Sequence, residues 1–205
     1  MENRKPKPEY IESHKRGFMH PAQFKTREDG EDLIIEGYFA VFGSIYEIWN
    51  DMTESIDPGA FTETLKDADV RALINHDTTL VLGRTKAGTL ELSVDEHGLW
   101  GKIRINPNDQ DAMNLYERVK RGDVDQCSFG FEIVREETDF KEDGSIHWTI
   151  MEVRLWEVSV CTFPAYEETE VSARKRDAEE AMKEIREKKT KVWREETMKK
   201  LKGEI

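Results

Sequence analysis

Apolar residues fall along this chain mostly in short runs, with a period of two or with none, and only locally with the period of a helix. Residues 33–42 are β-branched and aromatic around Glu36 and Gly37, which predicts a largely buried strand ending at Gly43. Ile56-Asp57-Pro58-Gly59-Ala60 predicts a turn, and residues 61–66 a short helix with Phe61 and Leu65 on one face. Residues 70–75 predict a strand that delivers His76 at its end. Residues 81–84 and 89–94 predict short strands around Ala87-Gly88. Residues 99–105 put Leu99, Gly101, Ile103 and Ile105 on one face, a half-buried strand closed by Pro107.

The clearest helix of the body is predicted over residues 108–121. Asn108 is placed to cap it, Ala112, Leu115, Tyr116 and Val119 recur at helical spacing, and Gly122 stops it. Residues 126–135 predict a strand, and a polar hairpin through Asp143-Gly144 leads to strands over 146–152 and 154–162, ended by Pro164. Many short strands with two short helices predict an α+β, mainly β fold built on a closed or nearly closed antiparallel sheet. Strand and helix do not alternate, which argues against a doubly wound architecture.

Composition changes the picture at the two ends. Charged residues make up 36% of the 205-residue chain and hydrophobic residues 37%, so part of it is expected outside any core. Residues 1–17, rich in Lys, Arg, Pro and Glu, predict a poorly ordered arm, and residues 18–173 predict the folded body. Residues 174–205 predict a charged helical tail, with Ala178, Ala181, Met182, Ile185, Val192 and Trp193 at helical spacing. That tail holds 12 basic and 8 acidic residues, a net +4. Residues 1–173 hold 19 and 35, a net −16. The tail is therefore suited to the body or to an acidic partner.

The overall charge of −12 argues against a general nucleic-acid binder, which needs a basic face. No apolar run approaches the roughly 18 residues that span a bilayer, so no membrane partner is expected. Two cysteines, Cys127 and Cys161, with no signal-peptide pattern, point to a reducing cytoplasm. His76, Asp77, Cys127 and Cys161 follow no ligand spacing, so neither metal nor cofactor is expected.

The candidate chemistry centres on Asp125-Gln126-Cys127-Ser128-Phe129-Gly130-Phe131. Strand alternation puts Ser128 and Gly130 on one face, leaving room for a substrate or another backbone, and Cys127 and Phe129 on the other. Most strand serines only satisfy the backbone, and most lone histidines are turn or core residues, so Ser128 and His76 each have a bland reading. Glu157 is the one acid in the apolar stretch Leu155-Trp156-Glu157-Val158-Ser159-Val160. It either faces outward or, facing inward, needs a partner, because an unpaired buried carboxylate costs several kcal/mol. A histidine would serve. Asp77 is the alternative acid, although adjacent residues tend to point apart. Ser159 shares the face of Glu157 and is a weak alternative nucleophile. Cys127 is the rival nucleophile, but its neighbours Phe129 and Phe131 predict burial and an inert thiol. His14, His20, His97 and His147 stand in polar surroundings and are assigned to the surface.

Gly37-Tyr38-Phe39-Ala40-Val41-Phe42, Pro58-Gly59-Ala60-Phe61, Asn75-His76-Asp77, Leu82-Gly83, Gly98-Leu99, Ser128-Phe129-Gly130-Phe131 and Glu157-Val158-Ser159-Val160 with Pro164-Ala165 occur in this order. The ordered series, over roughly residues 30–166, resembles the prohead (capsid maturation) proteases of tailed bacteriophages. That family is similar in fold to the herpesvirus assemblins, serine proteases on a β-barrel with surrounding helices. The resemblance implies Ser128 as nucleophile and His76 as general base and then acid. Glu157 is assigned as third member, with Asp77 behind it, because no second histidine stands at a convincing position. The residues do not identify the oxyanion donors; a backbone N–H near Arg154 or in the Gly130 region is a candidate. It also implies a serine endopeptidase acting in the host cytoplasm inside the assembling prohead. Its expected substrates are the scaffolding segment of the major capsid protein and the protease's own ends, and a homodimer is a state to test. Two alternatives stay open: a non-catalytic capsid assembly or scaffold-binding protein, and a cysteine hydrolase using Cys127.

Overall fold

The computed structural model describes residues 14–17, 24–29, 32–49, 51–141 and 143–163, and in the tail residues 183, 187, 188, 190, 191, 193–195, 197 and 198. Among these the chain forms, in order, β1 (His14–Gly17), β2 (Lys25–Asp29), β3 (Asp32–Val41), β4 (Tyr46–Trp49), β5 (Met52–Ile56) and α1 (Thr64–Asp67). There follow β6 (Arg71–Ile74), β7 (Asp77–Arg84), β8 (Leu90–Val94), β9 (Gly98–Ile105), α2 (Gln110–Arg121), β10 (Gln126–Phe140) and β11 (Ile146–Cys161). The fold is mainly β with few helices. The chain divides into two units, Met1–Tyr166 and Glu167–Ile205. The expected domain boundary near Ala173, the expected start of the fold at residues 18–23 and Pro164-Ala165 lie outside the described residues. The described tail positions are helical.

The strands form two sheets. One has seven strands, ordered β1-β10-β11-β5-β4 with β6 on β11 and β7 on β6; the other has the order β2-β3-β9-β8. Among the described residues no ladder joins one sheet to the other. β11 organises the larger sheet because it is 16 residues long. Its first part pairs with β5 through Ile146 to Ile150, and its second part with β6 through Glu157 to Val160. Both pairings are parallel, which corrects the expectation of a purely antiparallel sheet. Turn signals announce hairpins between neighbours in sequence, whereas parallel partners lie a long crossover apart and leave no local signal. β11 also runs unbroken where two strands were expected. Register shifts along the β10–β11 ladder, at 130/131 and between 133 and 136, let the long hairpin bend without ending.

Alternation along β10 has the expected parity. Cys127, Phe129 and Phe131 are buried in the cluster that also holds Phe39, Leu99 and Ile103 of the smaller sheet. Phe129 stacks on Phe131 at 4.9 Å and meets the edge of Phe61 at 5.7 Å. Each such ring contributes about 2–3 kcal/mol by leaving water. This core clamps the strand whose opposite face carries Ser128.

Three boundaries moved. The short helix begins at Thr64 rather than Phe61, because Phe61 is spent in the core and the Asp57 turn (Ala60 N–H to Asp57 O, 2.9 Å) extends toward it. Asp109, not Asn108, caps α2, its Oδ1 accepting from the N–H of Asp111 and Ala112. Asn108 instead closes the turn before it, its N–H donating to Asn106 Oδ1. The C-terminus ends on Gly122 at φ 86°, as glycine there allows. Finally, residues 14–17 of the expected arm form β1, antiparallel to β10 with Gly17 opposite Ser128.

Candidate active site

β6 and β7 are joined by a loop of two residues, Asn75 and His76, between the paired Ile74 and Asp77. Both loop residues have positive φ, 49° and 60°, the signature of a type I′ hairpin turn, whose twist matches the strands it joins. Asn tolerates that region and His enters it more readily than most side chains. Three bonds from the end of β11 and the residue after it hold the turn. Asn75 N–H donates to Val160 O (3.1 Å), Thr162 N–H donates to Asn75 Oδ1 (2.9 Å), and His76 N–H donates to Ser159 Oγ (3.1 Å). Parallel pairing of β6 with β11 thus delivers His76 to a strand 81 residues away.

There His76 Nδ1 lies 2.6 Å from Glu157 Oε1. The two side chains are only 9% and 12% exposed, so their interaction is little screened by solvent. The second carboxylate oxygen, Oε2, accepts from Ser159 Oγ at 2.6 Å. Glu157 is therefore the inward-facing acid with a partner. A carboxylate on Nδ1 selects the tautomer with the proton on Nδ1 and leaves Nε2 as the basic nitrogen. That Nε2 is buried and has no hydrogen-bond partner among the described residues. Leaving a buried polar atom unsatisfied costs about 1–3 kcal/mol, a cost that functional sites commonly bear.

Ser128 stands opposite Ser159 across the β10–β11 ladder, and Gly130 stands opposite Glu157. Directly paired residues share a face, so Ser128, Gly130, Glu157 and Ser159 line the side of the sheet away from Phe129 and Val158. Ser128 is fully buried, and it makes no hydrogen bond to His76 Nε2 in this structure. The structure thus joins His76 to Glu157 and puts Ser128 on their face without closing the serine–histidine bond.

The remaining candidates lie elsewhere. Asp77 is exposed, and its Oδ1 accepts from Thr79 N–H and Thr79 Oγ1, bonds that hold its carboxyl below the usual range. It is engaged in its own turn rather than on His76. Burial pushes the Cys127 thiol well up, and the thiol contacts the carbonyls of Tyr38 (3.3 Å) and Phe39 (3.6 Å). Burial, with Glu157 nearby, pushes Cys161 up to about 12. Neither sulfur has the thiolate character a nucleophile needs. His147 is half-buried rather than a free surface residue: Nδ1 lies 2.8 Å from Thr53 Oγ1 and Nε2 2.8 Å from Ser55 Oγ. Both of its nitrogens are occupied by hydroxyls, so it lacks the carboxylate that orients His76. The sequence reading undervalued Ser159 and Gly130, whose signal is only their parity with Glu157.

The family model described as caudovirus prohead serine protease matches residues 21–184. The chain belongs to the caudovirus prohead serine proteases. It is 31% identical over 156 residues to the prohead protease of Enterobacteria phage HK97, an alignment covering 75% of this chain and 65% of that protein's length. Among solved structures it is similar to the bacteriophage T4 capsid assembly protease gp21, with a TM-score of 0.49 and 12% identity. That match covers 73% of this chain and 96% of the other.

Proposed function

We propose that this family member is a serine endopeptidase with Ser128, His76 and Glu157 in the catalytic roles. The observation that carries the reading is the buried His76–Glu157 pair with Nε2 unpartnered on the face that bears Ser128. Ser128 Oγ attacks the scissile carbonyl carbon and passes its proton to His76 Nε2. The carbon–nitrogen bond breaks as Nε2 returns that proton to the leaving amine, and an ester remains on Ser128. A water, deprotonated in the same way, then releases the acid. Glu157 keeps the proton on Nδ1 and stabilises the imidazolium in each half. The Ser128–Nε2 bond closes in the substrate-bound state, since such bonds often tighten only there.

Family membership supports the scaffolding segment of the capsid subunit, and the chain's own ends, as substrates inside an assembling prohead. An assemblin-like barrel is the finer fold proposal, supported by one hydrophobic cluster shared between the two sheets. The second reading, a non-catalytic assembly protein, is favoured by the full burial of Ser128 and the unmade bond to Nε2. Mixing the full chain with capsid subunit and following cleavage by mass spectrometry separates the two. The wild type is expected to cut the scaffolding segment, while Ser128→Ala and His76→Ala, folded by circular dichroism, do not. Cleavage by Ser128→Ala at the wild-type rate overturns the assignment.

A further inference from the structure

Ser159 touches both members of the His76–Glu157 pair and reacts with neither. Its hydroxyl carries one proton and two acceptor sites. The proton goes to Glu157 Oε2 (2.6 Å), so toward the turn the oxygen can only accept, and it accepts the His76 backbone N–H (3.1 Å). The residue is fully buried, and its ladder partner is Ser128. One atom therefore fixes two things. It occupies the carboxylate oxygen that His76 does not use, which sets the plane of the Glu157 carboxylate. It also anchors the backbone of the positive-φ turn from which the imidazole projects.

The same bond directions remove Ser159 as a nucleophile. Its proton is directed to a carboxylate rather than to Nε2, so attack by this oxygen would bypass the imidazole, the group that returns a proton to the leaving amine. The bond also spreads the negative charge of Glu157 over two donors. A carboxylate whose Oε2 has a donor presents less charge through Oε1 to Nδ1–H.

We propose that Ser159 is the positioning residue of this site, setting the geometry of the His76–Glu157 pair. The proposal rests on the Ser128–His76–Glu157 reading. Removing the hydroxyl leaves Glu157 Oε2 without its donor and lets the carboxylate turn away from Nδ1. It also frees the turn, which lowers the rate. The test compares wild type, Ser159→Ala, Ser159→Cys and Ser128→Ala as full chains, with capsid subunit as substrate, by cleavage kinetics and proton NMR. Ser159→Ala is expected to lose roughly 10- to 100-fold in kcat with KM changed by less than about 3-fold. The downfield proton resonance of His76 Nδ1–H, held on Glu157 Oε1, is expected to shift or broaden, a change that a loss of folded protein would not produce. Ser159→Cys fills the site with a larger atom and a weak donor, and should show the same change if the alanine variant does not fold. A folded Ser159→Ala or Ser159→Cys protein with wild-type kcat and an unmoved Nδ1–H resonance overturns the proposal while leaving the triad standing. Undiminished cleavage by Ser128→Ala instead overturns the triad itself.

Discussion

The carboxylate of Glu157 occupies the space that a side chain at Gly130 would need: a methyl group there would stand 2.5 Å from Glu157 Oε1. The two residues face each other across the β10–β11 ladder, and the absence of a Cβ on one strand is what lets the other's carboxylate lie flat toward His76. Gly130→Ala therefore pushes the oxygen that bonds Nδ1. The group that must yield is the end of a side chain, so the backbone is spared and the site takes the damage. We expect a stability loss of about 1–3 kcal/mol, the usual range for overpacking. Cleavage should fall at least tenfold by the same displacement. Urea unfolding and a cleavage assay on one preparation check this, and undiminished activity would show that Glu157 has room to move.

Glu157 and Asp77 should separate cleanly. Glu157→Gln keeps the shape and bond count but removes the charge that fixes the tautomer, and a loss of roughly 10²- to 10⁴-fold in kcat is expected. Asp77→Asn should stay within about 2-fold of wild type, because Asp77 bonds to Thr79 and not to the imidazole. Equal losses in the two variants would return the third role to Asp77.

Both thiols should be silent in the native protein. Cys127 and Cys161 are buried and held in the protonated form, the latter pushed up to about 12. Iodoacetamide at pH 8 is expected to label neither until urea is added, and then both, by intact-mass measurement. Rapid native labelling of Cys127 with loss of cleavage would instead revive the cysteine-hydrolase reading.

Acid stability offers a test away from the site. Asp69 accepts from Arg84 Nε (2.7 Å) and Nη2 (2.5 Å), and this pairing, with Arg71 adding to it, lowers its carboxyl from 3.8 to about 2. A folded-state value below the unfolded one contributes stability that is present above pH 3.8 and is lost as pH falls from there toward 2. The pair ties the segment before β6 to the end of β7. Asp69→Asn should flatten the pH dependence of the unfolding midpoint between pH 4 and 2 and leave cleavage at neutral pH unchanged. An unaltered slope would show that the pair contributes nothing measurable, as many exposed ion pairs do.

Some of this protein is written locally. The period-two alternation of β10 fixes that Cys127 and Phe129 face one way and Ser128 and Gly130 the other, because a strand offers only two faces. The helical spacing of Ala112, Leu115, Tyr116 and Val119 marks the same four residues that are buried on α2, and Gly122 marks its end. Such features depend on residues within a turn or two of each other. The roles of Ser128 as nucleophile and His76 as base came from resemblance rather than periodicity.

What only the tertiary structure decided is which strands meet. Parity alone left Glu157 facing either way and kept Asp77 as the alternative acid. The parallel pairing of β6 with the second part of β11 settled the contact, by seating a two-residue turn against Val160 and Ser159. Parallel pairing across a long crossover has no local turn signal, since it is selected by the burial of whole sheets rather than by any short stretch. For the same reason Ser159 reads in the sequence as one more strand serine. Only with His76 and Glu157 folded onto it does its hydroxyl become the atom they share.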